Sequence, residues 1–221
     1  MDKKTEYRSV GYVEGRVELR ATQDGGAKMI TGDAIVYERE SVVLHDSRIG
    51  AFVEIIKRGA LDNADVSRVV ARTNHNDGIL LGTSWAKTLR LRNSPSVLAY
   101  EVDIPNTSAG KDTEVYMERG DISGSSFAFV SDVTKDVWTD NRSQGIPSIR
   151  EVHSILTLYD VSPVTTPAYR EATSALRSFD YFEQHLKEET DALAAEQTRK
   201  EEIKADSKTL AAIHKHKHIT R

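Results

Sequence analysis

Hydrophobic and polar residues alternate strictly from Val13 to Ala21, with apolar residues or glycine at the odd positions and glutamate or arginine at the even ones. A period of two is typical of a β-strand that has one face in water. A second strand is predicted over Lys28–Tyr37. Its last four residues, Ala34 to Tyr37, are apolar throughout, as in a strand that is covered on both faces.

Shorter strand patterns follow in the middle of the chain. Ser67–Thr73 has the composition of a strand and leads into the polar turn Asn74–Gly78, which places His75 at the end of that strand. Thr88–Arg92 and Leu98–Ile104 each alternate apolar with polar residues, and an Asn-Ser-Pro-Ser turn lies between them. Together they predict a β-hairpin.

A helix is predicted between this hairpin and a segment rich in glycine and serine. One of residues 106–108 can cap the helix, which runs to about Arg119, and Gly120 is its C-terminal stop signal. Before the hairpin, the apolar run Phe52–Lys57 fits either a strand or a single helical turn.

Two further strands are predicted on either side of the turn Asp140–Gly145, one beginning near Ser126 and the other covering about Ile149–Val164. In an antiparallel pair, the numbers of facing residues have a constant sum. If the turn is centred near residue 143, Ser126 faces Asp160. The pattern therefore places a carboxylate beside a serine.

The composition changes after about Phe182 to Glu, Lys, Ala, Gln, Thr and Asp, without glycine or proline. Leu186 and Leu193 are a heptad apart, as are Ile203 and Leu210, which favours exposed helices that self-associate; an extended, partly helical arm is the alternative. We predict an α+β protein. A β-rich, barrel-like domain of mostly antiparallel strands with a few helices covers residues 8–175, and a charged helical arm covers 176–221.

Composition excludes several classes of protein. Hydrophobic residues make up 38% and charged residues 29%, which is typical of a soluble globular chain. No apolar run approaches the about 18 residues of a membrane span, and the first residues have no secretory pattern. The absence of cysteine excludes disulfides and thiolate chemistry, and the net charge of −4 gives no basic footprint for nucleic acid.

The chemistry indicated by these residues is acyl transfer by a serine. Ser126 needs a base to remove its proton, and the neutral imidazole of His75 suits that role. Asp160 could orient the imidazole, and backbone N–H groups of Gly124, Ser125 and Phe127 could bind the oxyanion. The segment is not a Gly-x-Ser-x-Gly elbow, because Ala128 stands at the second glycine position.

Each of these residues also has an ordinary structural interpretation. Ser126 could hydrogen-bond its own backbone in a turn, and His75 could cap a loop. Asp160 could be an edge-strand charge that prevents aggregation. The alternating histidines of His214–His218 do not converge on one face of a helix, so we expect a solvated basic terminus and no metal site there.

Four blocks of sequence nevertheless resemble the prohead proteases of tailed phages, which are HK97-type serine peptidases. The resemblance spans about Gly32–Tyr169. The blocks, in order, are Gly32–Tyr37 with Phe52–Leu61, then Asn74–Asn76 with Leu81–Thr83, then Gly120–Phe129, and finally Leu158–Tyr169.

The resemblance implies a serine endopeptidase with a mostly β, barrel-like fold, similar to the herpesvirus assembly proteases. The family's histidine falls on His75 and its serine on Ser126. Asp160 fits the acidic position of the last block and agrees with the strand count. Glu151 and His153 are the runners-up for the third residue, since herpesvirus-type enzymes use a second histidine.

The resemblance also implies a role inside the phage procapsid, in the host cytoplasm, without cofactor or metal. The expected substrates are the major capsid protein, a scaffold protein or scaffolding segment, and the protease itself. A homo-oligomer is possible on this view, and neither a membrane nor a specific nucleic acid is expected as a partner. The rival hypotheses are a non-catalytic scaffold with the same fold and a serine esterase that acts on small molecules.

Overall fold

The computed structural model describes residues 6–10, 17–21, 28–165, 179–188, 190–192, 196 and 198–200. The chain divides into two compact units, Met1–Phe179 and Asp180–Arg221. The boundary that the sequence predicts near residue 175 stays a prediction, because residues 166–178 lie outside the described ranges. The same holds for residues 13–16 of the first predicted strand and for the histidines of 214–218.

Within its described residues, the first unit consists mainly of short β-strands and one α-helix. In chain order the strands are β1 (Glu6–Val10), β2 (Val17–Ala21), β3 (Lys28–Val36), β4 (Leu44–Asp46), β5 (Gly50–Ile56), β6 (Val70–Arg72), β7 (Leu80–Thr83), β8 (Leu89–Asn93), β9 (Val97–Asp103), β10 (Gly124–Ser131), β11 (Val137–Thr139), β12 (Ser148–Val152) and β13 (Ile155–Val164). Helix α1 (Ser108–Glu118) lies between β9 and β10.

The strands form three sheets. A five-stranded sheet has the order β1-β10-β13-β6-β7, and two four-stranded sheets have the orders β11-β12-β5-β4 and β2-β3-β9-β8. Neighbouring strands are antiparallel except for the pairs β12–β5 and β13–β6. The predicted α+β class with mostly antiparallel strands is therefore confirmed. The described strands remain three separate sheets and do not close into a single barrel.

The main hydrophobic core joins the β3 sheet to the five-stranded sheet. Buried and partly exposed residues alternate along β9, which pairs with β8 as the predicted hairpin requires. Tyr100 is one of the buried residues and has no exposed surface. Its ring occupies the space that a side chain at Gly32 would need, only 2.5 Å from where a Cβ atom would lie, so only glycine allows this packing. The rings of Phe127 and Phe129 stack on each other with their centroids 5.2 Å apart, and both belong to the core under β10.

Helix α1 forms as the sequence predicts. The side chain of Thr107 accepts a hydrogen bond from the Gly110 N–H at 3.1 Å, which is the N-cap arrangement, and Gly120 follows the helix with a φ of +80°. On the inner side of the helix, Thr113 Oγ1 lies 2.9 Å from Thr73 Oγ1, and both residues are buried. This contact ties α1 to the turn that carries His75.

The predicted register of the last strand pair is wrong by two positions. Ser126 of β10 faces Ser162 of β13, and Asp160 faces Ala128. The cause is two bulges in the pair: Ser131 and Ile155 still have the predicted sum of 286, and register shifts between Val130 and Ser131 and between Ala128 and Phe129 raise the sum to 288 at Ser126. Side chains two apart on a strand share a face, so Asp160 still lies on the same face as Ser126.

The second strand of that predicted pair is divided into β12 and β13, which belong to different sheets. Phe52–Lys57, where the sequence left two possibilities, forms most of strand β5. Neither β1 nor β4 is anticipated by the sequence pattern.

A buried cluster of charges holds β12 to its neighbours. The Arg150 side chain is completely buried, and its guanidinium donates to Glu54 at 2.8 Å, to Asp136 at 2.9 Å and to Ser131 at 2.8 Å. Ser131 is the last residue of β10, so the cluster connects the end of that strand to the β5 sheet. Charges in such a position are tolerated only when they are paired and hydrogen-bonded.

The second unit is helical wherever it is described, which covers residues 180–188, 190–192, 196 and 198–200. Thr190 donates a hydrogen bond to the Leu186 carbonyl at 2.7 Å, one turn earlier. The predicted heptad seam also needs Leu193, Ile203 and Leu210, which lie outside the described residues. None of the described helices is both long and apolar enough to cross a lipid bilayer.

Replacing Arg150 with methionine tests the charge cluster. We expect Arg150→Met to lower the free energy of unfolding by about 3–5 kcal/mol, because it leaves two buried carboxylates without their cation. Urea denaturation measures the change. The control is Arg92→Met, whose side chain is 72% exposed beside Glu101 and which should cost less than about 1 kcal/mol. Equal, small losses in both variants would contradict a stabilising role for the cluster.

Candidate active site

The turn that carries His75 has an unusual backbone. Strand β6 ends at Arg72, and Thr73–His75 form a 3₁₀ turn in which Asn74 and His75 both have a φ of +54°. Left-handed backbone costs a non-glycine residue about 1–2 kcal/mol. The turn is held by the Asn74 side chain, whose Oδ1 accepts the Thr165 N–H at 2.9 Å just after β13. The imidazole is thereby fixed above the sheet formed by β10 and β13.

The structure brings His75, Ser126 and Asp160 together. Nε2 of His75 lies 2.6 Å from Oγ of Ser126, and Nδ1 lies 2.7 Å from Oδ1 of Asp160. The three side chains come from a turn and from two paired strands, and they form one continuous chain of hydrogen bonds. This is the geometry that a base-activated serine requires.

The constellation is enclosed by protein. Ser126 has no exposed surface, the side chain of Asp160 is 2% exposed and that of His75 is 9% exposed. In surroundings of low dielectric constant, hydrogen bonds between these groups are stronger than they would be in water. The oxygen of Ser126 is also closed to solvent, so a substrate could reach it only after some part of the protein moved.

Two residues that the sequence reasoning missed support Asp160. The hydroxyl of Ser162 lies 3.2 Å from His75 Nδ1 and donates to Asp160 Oδ1 at 3.3 Å. Nε of Arg72 lies 3.3 Å from Asp160 Oδ2, an ion-pair distance, although its N–H is not aligned on that oxygen. Arg72 also forms an ion pair with Asp77.

A signal for Ser162 was present in the sequence, since it follows Asp160 by two positions on a predicted strand and must share its face. Arg72 had no such signal, because only the parallel pairing of β6 with β13 brings it to Asp160.

The two runners-up for the third position lie elsewhere. Glu151 is in β12 and contacts Lys57 at 3.1 Å and His153 at 3.2 Å. Burial raises the pKa of Glu151, but hydrogen bonds from Lys57 and His153 outweigh that effect, and the net shift is downward. His153 is 40% exposed at its side chain. Thus Glu151 and His153 form a surface ion-pair group with Lys57, while Asp160 is the acid beside His75.

The segment predicted to bind an oxyanion lies within a paired strand. Gly124, Ser125 and Phe127 belong to β10, which pairs with β13 on one side and β1 on the other. The reason is that the segment is apolar enough on both faces to be an interior strand, and all of its residues are buried. Their role in binding an oxyanion stays a prediction.

The described part of the chain contains no candidate metal centre. Within the ranges given above, no three His, Cys, Asp or Glu side chains are grouped so that they could hold a metal ion.

Comparison with known families identifies the relationship. The family model of the caudovirus prohead serine proteases matches residues 15–187. The chain belongs to this family. The resemblance found in the four sequence blocks is therefore confirmed, and the enzymes of the family are serine peptidases.

Comparison with individual proteins adds little to the family assignment. A search of curated proteins found no match. Among solved structures, the capsid assembly protease of bacteriophage T4 aligns with 72% of this chain and 97% of its own, at 9% identity and a TM-score of 0.42. A likeness at that level carries no weight for function.

The hydrogen bonds of the constellation predict the tautomer of His75. We expect the neutral imidazole to carry its proton on Nδ1, where Asp160 accepts it, and to leave Nε2 as acceptor for the Ser126 hydroxyl. Nitrogen-15 NMR of labelled histidine measures the tautomer, with His75→Gln assigning the resonance among the seven histidines. A neutral ring protonated on Nε2 would contradict this arrangement.

Proposed function

We propose that this prohead protease is a serine endopeptidase that cuts capsid-precursor or scaffolding segments, and its own chain, as the procapsid matures. The observation that carries the proposal is the placement of the His75 ring between Ser126 and Asp160, at 2.6 Å and 2.7 Å. Family membership supports the peptidase class. The arrangement supports a particular division of labour among the three side chains.

In that mechanism, Oγ of Ser126 attacks the carbonyl carbon of the scissile peptide bond while Nε2 of His75 takes the hydroxyl proton. Asp160 stabilises the imidazolium that forms, because its carboxylate faces the Nδ1–H. His75 then returns the proton to the leaving amine, and the C–N bond breaks to give an acyl-enzyme. Water, activated by the same imidazole, attacks the ester carbon and releases the second product as Ser126 regains its proton.

Ser162 and Arg72 act as positioning residues in this scheme. Each contacts a different oxygen of Asp160, with Ser162 on Oδ1 and Arg72 on Oδ2. The hydrogen bond from Ser162 and the nearby charge of Arg72 both favour the orientation in which the carboxylate faces His75. The mechanism uses side chains alone, so the proposal includes no metal or cofactor.

The proposed substrates follow from the family and not from a visible specificity pocket. A prohead protease works inside the immature shell, where it meets the major capsid protein, the scaffold and other copies of itself. We therefore place this chain in the procapsid within the bacterial host.

Substitution of Ser126 separates the enzyme from a non-catalytic scaffold with the same fold. Ser126→Ala should reduce cleavage of the co-expressed capsid precursor by about 10⁴- to 10⁶-fold, because it removes the nucleophile. Intact-mass spectrometry of the precursor and of the chain itself measures the cuts. The matched control is Ser123→Ala, three residues earlier in the same segment, which should leave the fragment pattern unchanged. Continued processing by the Ser126 variant would refute the enzyme proposal.

A pair of carboxylate variants tests the identity of the third residue. We expect Asp160→Asn to lower kcat by about 10⁴-fold, because an amide favours the wrong histidine tautomer. Glu151→Gln, in strand β12 of another sheet, should change kcat by no more than about threefold, since its partners are Lys57 and His153. Cleavage rates of purified protein on the precursor polypeptide give both values. The reverse order of effects would assign the orienting role to Glu151.

A further inference from the structure

Strand β1 lies directly beside the candidate nucleophile. It is the edge strand of the five-stranded sheet, and all five of its residues pair with β10. The register places Ser9 opposite Ser126, with Arg8 opposite Phe127 and Val10 opposite Ser125. Thus the backbone on one side of Ser126 is covered by the N-terminal part of the same chain.

A peptide substrate would need that side of β10. Proteins commonly bind an extended peptide by adding it as a strand to an exposed sheet edge, where main-chain hydrogen bonds supply affinity. The other side of β10 is taken by β13, which carries Asp160 and Ser162. Removing β13 would dismantle the constellation, because it would take Asp160 away from His75. The β1 side is therefore the edge of β10 that can be given up to a substrate.

The geometry of strand pairing makes β1 an unproductive occupant. Paired residues of antiparallel strands have their Cα atoms about 4.5–5.5 Å apart, and their carbonyl groups lie in the plane of the sheet. Side chains stand roughly perpendicular to that plane, and Oγ of Ser126 contacts the His75 ring on one face. An in-plane carbonyl of β1 is thus not presented to this oxygen for attack.

We propose that β1 is an inhibitory strand that must leave β10 before a substrate peptide can pair there. The proposal deepens the proposed function and rests on it, because it names the edge at which the peptide binds. Ser126 has no exposed surface in the assembled constellation, so some part of the protein has to move before a peptide can bind. Release of β1 also frees those N–H and C=O groups of β10 that face this edge, and a peptide could then pair with them.

A reversible cross-link between β1 and β10 tests the proposal in the full chain. The register pairs Tyr7 with Ala128, and directly paired residues lie within the Cα separation that a disulfide spans. The chain has no cysteine of its own, so Tyr7→Cys with Ala128→Cys creates a single possible bond. We expect the oxidised protein to cleave the purified capsid precursor about 30- to 1,000-fold more slowly than the same protein after reduction.

Two controls accompany the cross-link. The single variants Tyr7→Cys and Ala128→Cys should show no redox dependence, which separates the cross-link from effects of either substitution. Labelling of Ser126 by a fluorophosphonate, read by mass spectrometry, reports the nucleophile independently of the substrate. Absence of both labelling and cleavage in the unmodified chain and in the proline variants described below would count against the proposed function. Normal cleavage by the oxidised, fully cross-linked protein would overturn the inhibitory strand alone.

Should the reduced double variant itself be inactive, proline substitutions in β1 decide the matter. Successive residues of an edge strand direct their N–H groups to opposite sides, so one of Arg8→Pro and Ser9→Pro removes a hydrogen bond to β10 while the other does not. We expect one of the two variants to cleave the precursor at least about threefold faster than the unmodified chain. If neither variant is faster, β1 does not limit access and the inference is wrong.

Discussion

The pairing of β10 with β13 is the constraint on which the rest of the candidate site depends. It sets Ser126 opposite Ser162, and the alternation of side chains along β13 then puts Asp160 on the same face. The parallel pairing of β6 with β13 brings in His75, because the turn that carries it directly follows β6. A shift of one residue in the β10–β13 register would turn the serine away from the carboxylate. The buried Arg150 cluster matters for this reason, since it fixes the end of β10 through Ser131.

His75 needs more support than the strand residues do, because a turn is less rigid than a paired strand. Its left-handed backbone is held from two directions: Asn74 accepts the Thr165 N–H, and Thr73 contacts Thr113 of α1. The helix, the end of β13 and the imidazole are thus connected through three consecutive residues. The side chains of Thr73 and Asn74 thus both help to position the imidazole ring of His75. The histidine is therefore best regarded as part of a small anchored unit and not as a lone loop residue.

The sequence predicted what depends on neighbours along the chain and missed what depends on distant ones. The β8–β9 hairpin and helix α1, with Thr107 as its cap, follow from alternation, turn residues and a stop glycine. The register of β10 with β13 was wrong because two bulges in the pair each shift the pairing by one residue. Strand β1 was missed altogether, since Glu-Tyr-Arg-Ser-Val has no clear alternation and its partner lies more than a hundred residues away. Arg72 reaches Asp160 only through such long-range pairing.

The enclosure of Ser126 has two opposing effects. Surrounding protein strengthens the hydrogen bonds of His75 and excludes water from the reacting groups. It also keeps a peptide away, although in the proposed mechanism the carbonyl carbon must come within about 3–3.5 Å of the Ser126 oxygen. A nucleophile on an exposed turn avoids this conflict, but Ser126 lies inside a strand with a neighbour on each side. If a substrate peptide pairs with β10, as proposed above, one of these two neighbours has to be exchangeable. In the five-stranded sheet, β13 fails that condition because it carries Asp160, which leaves the edge strand β1.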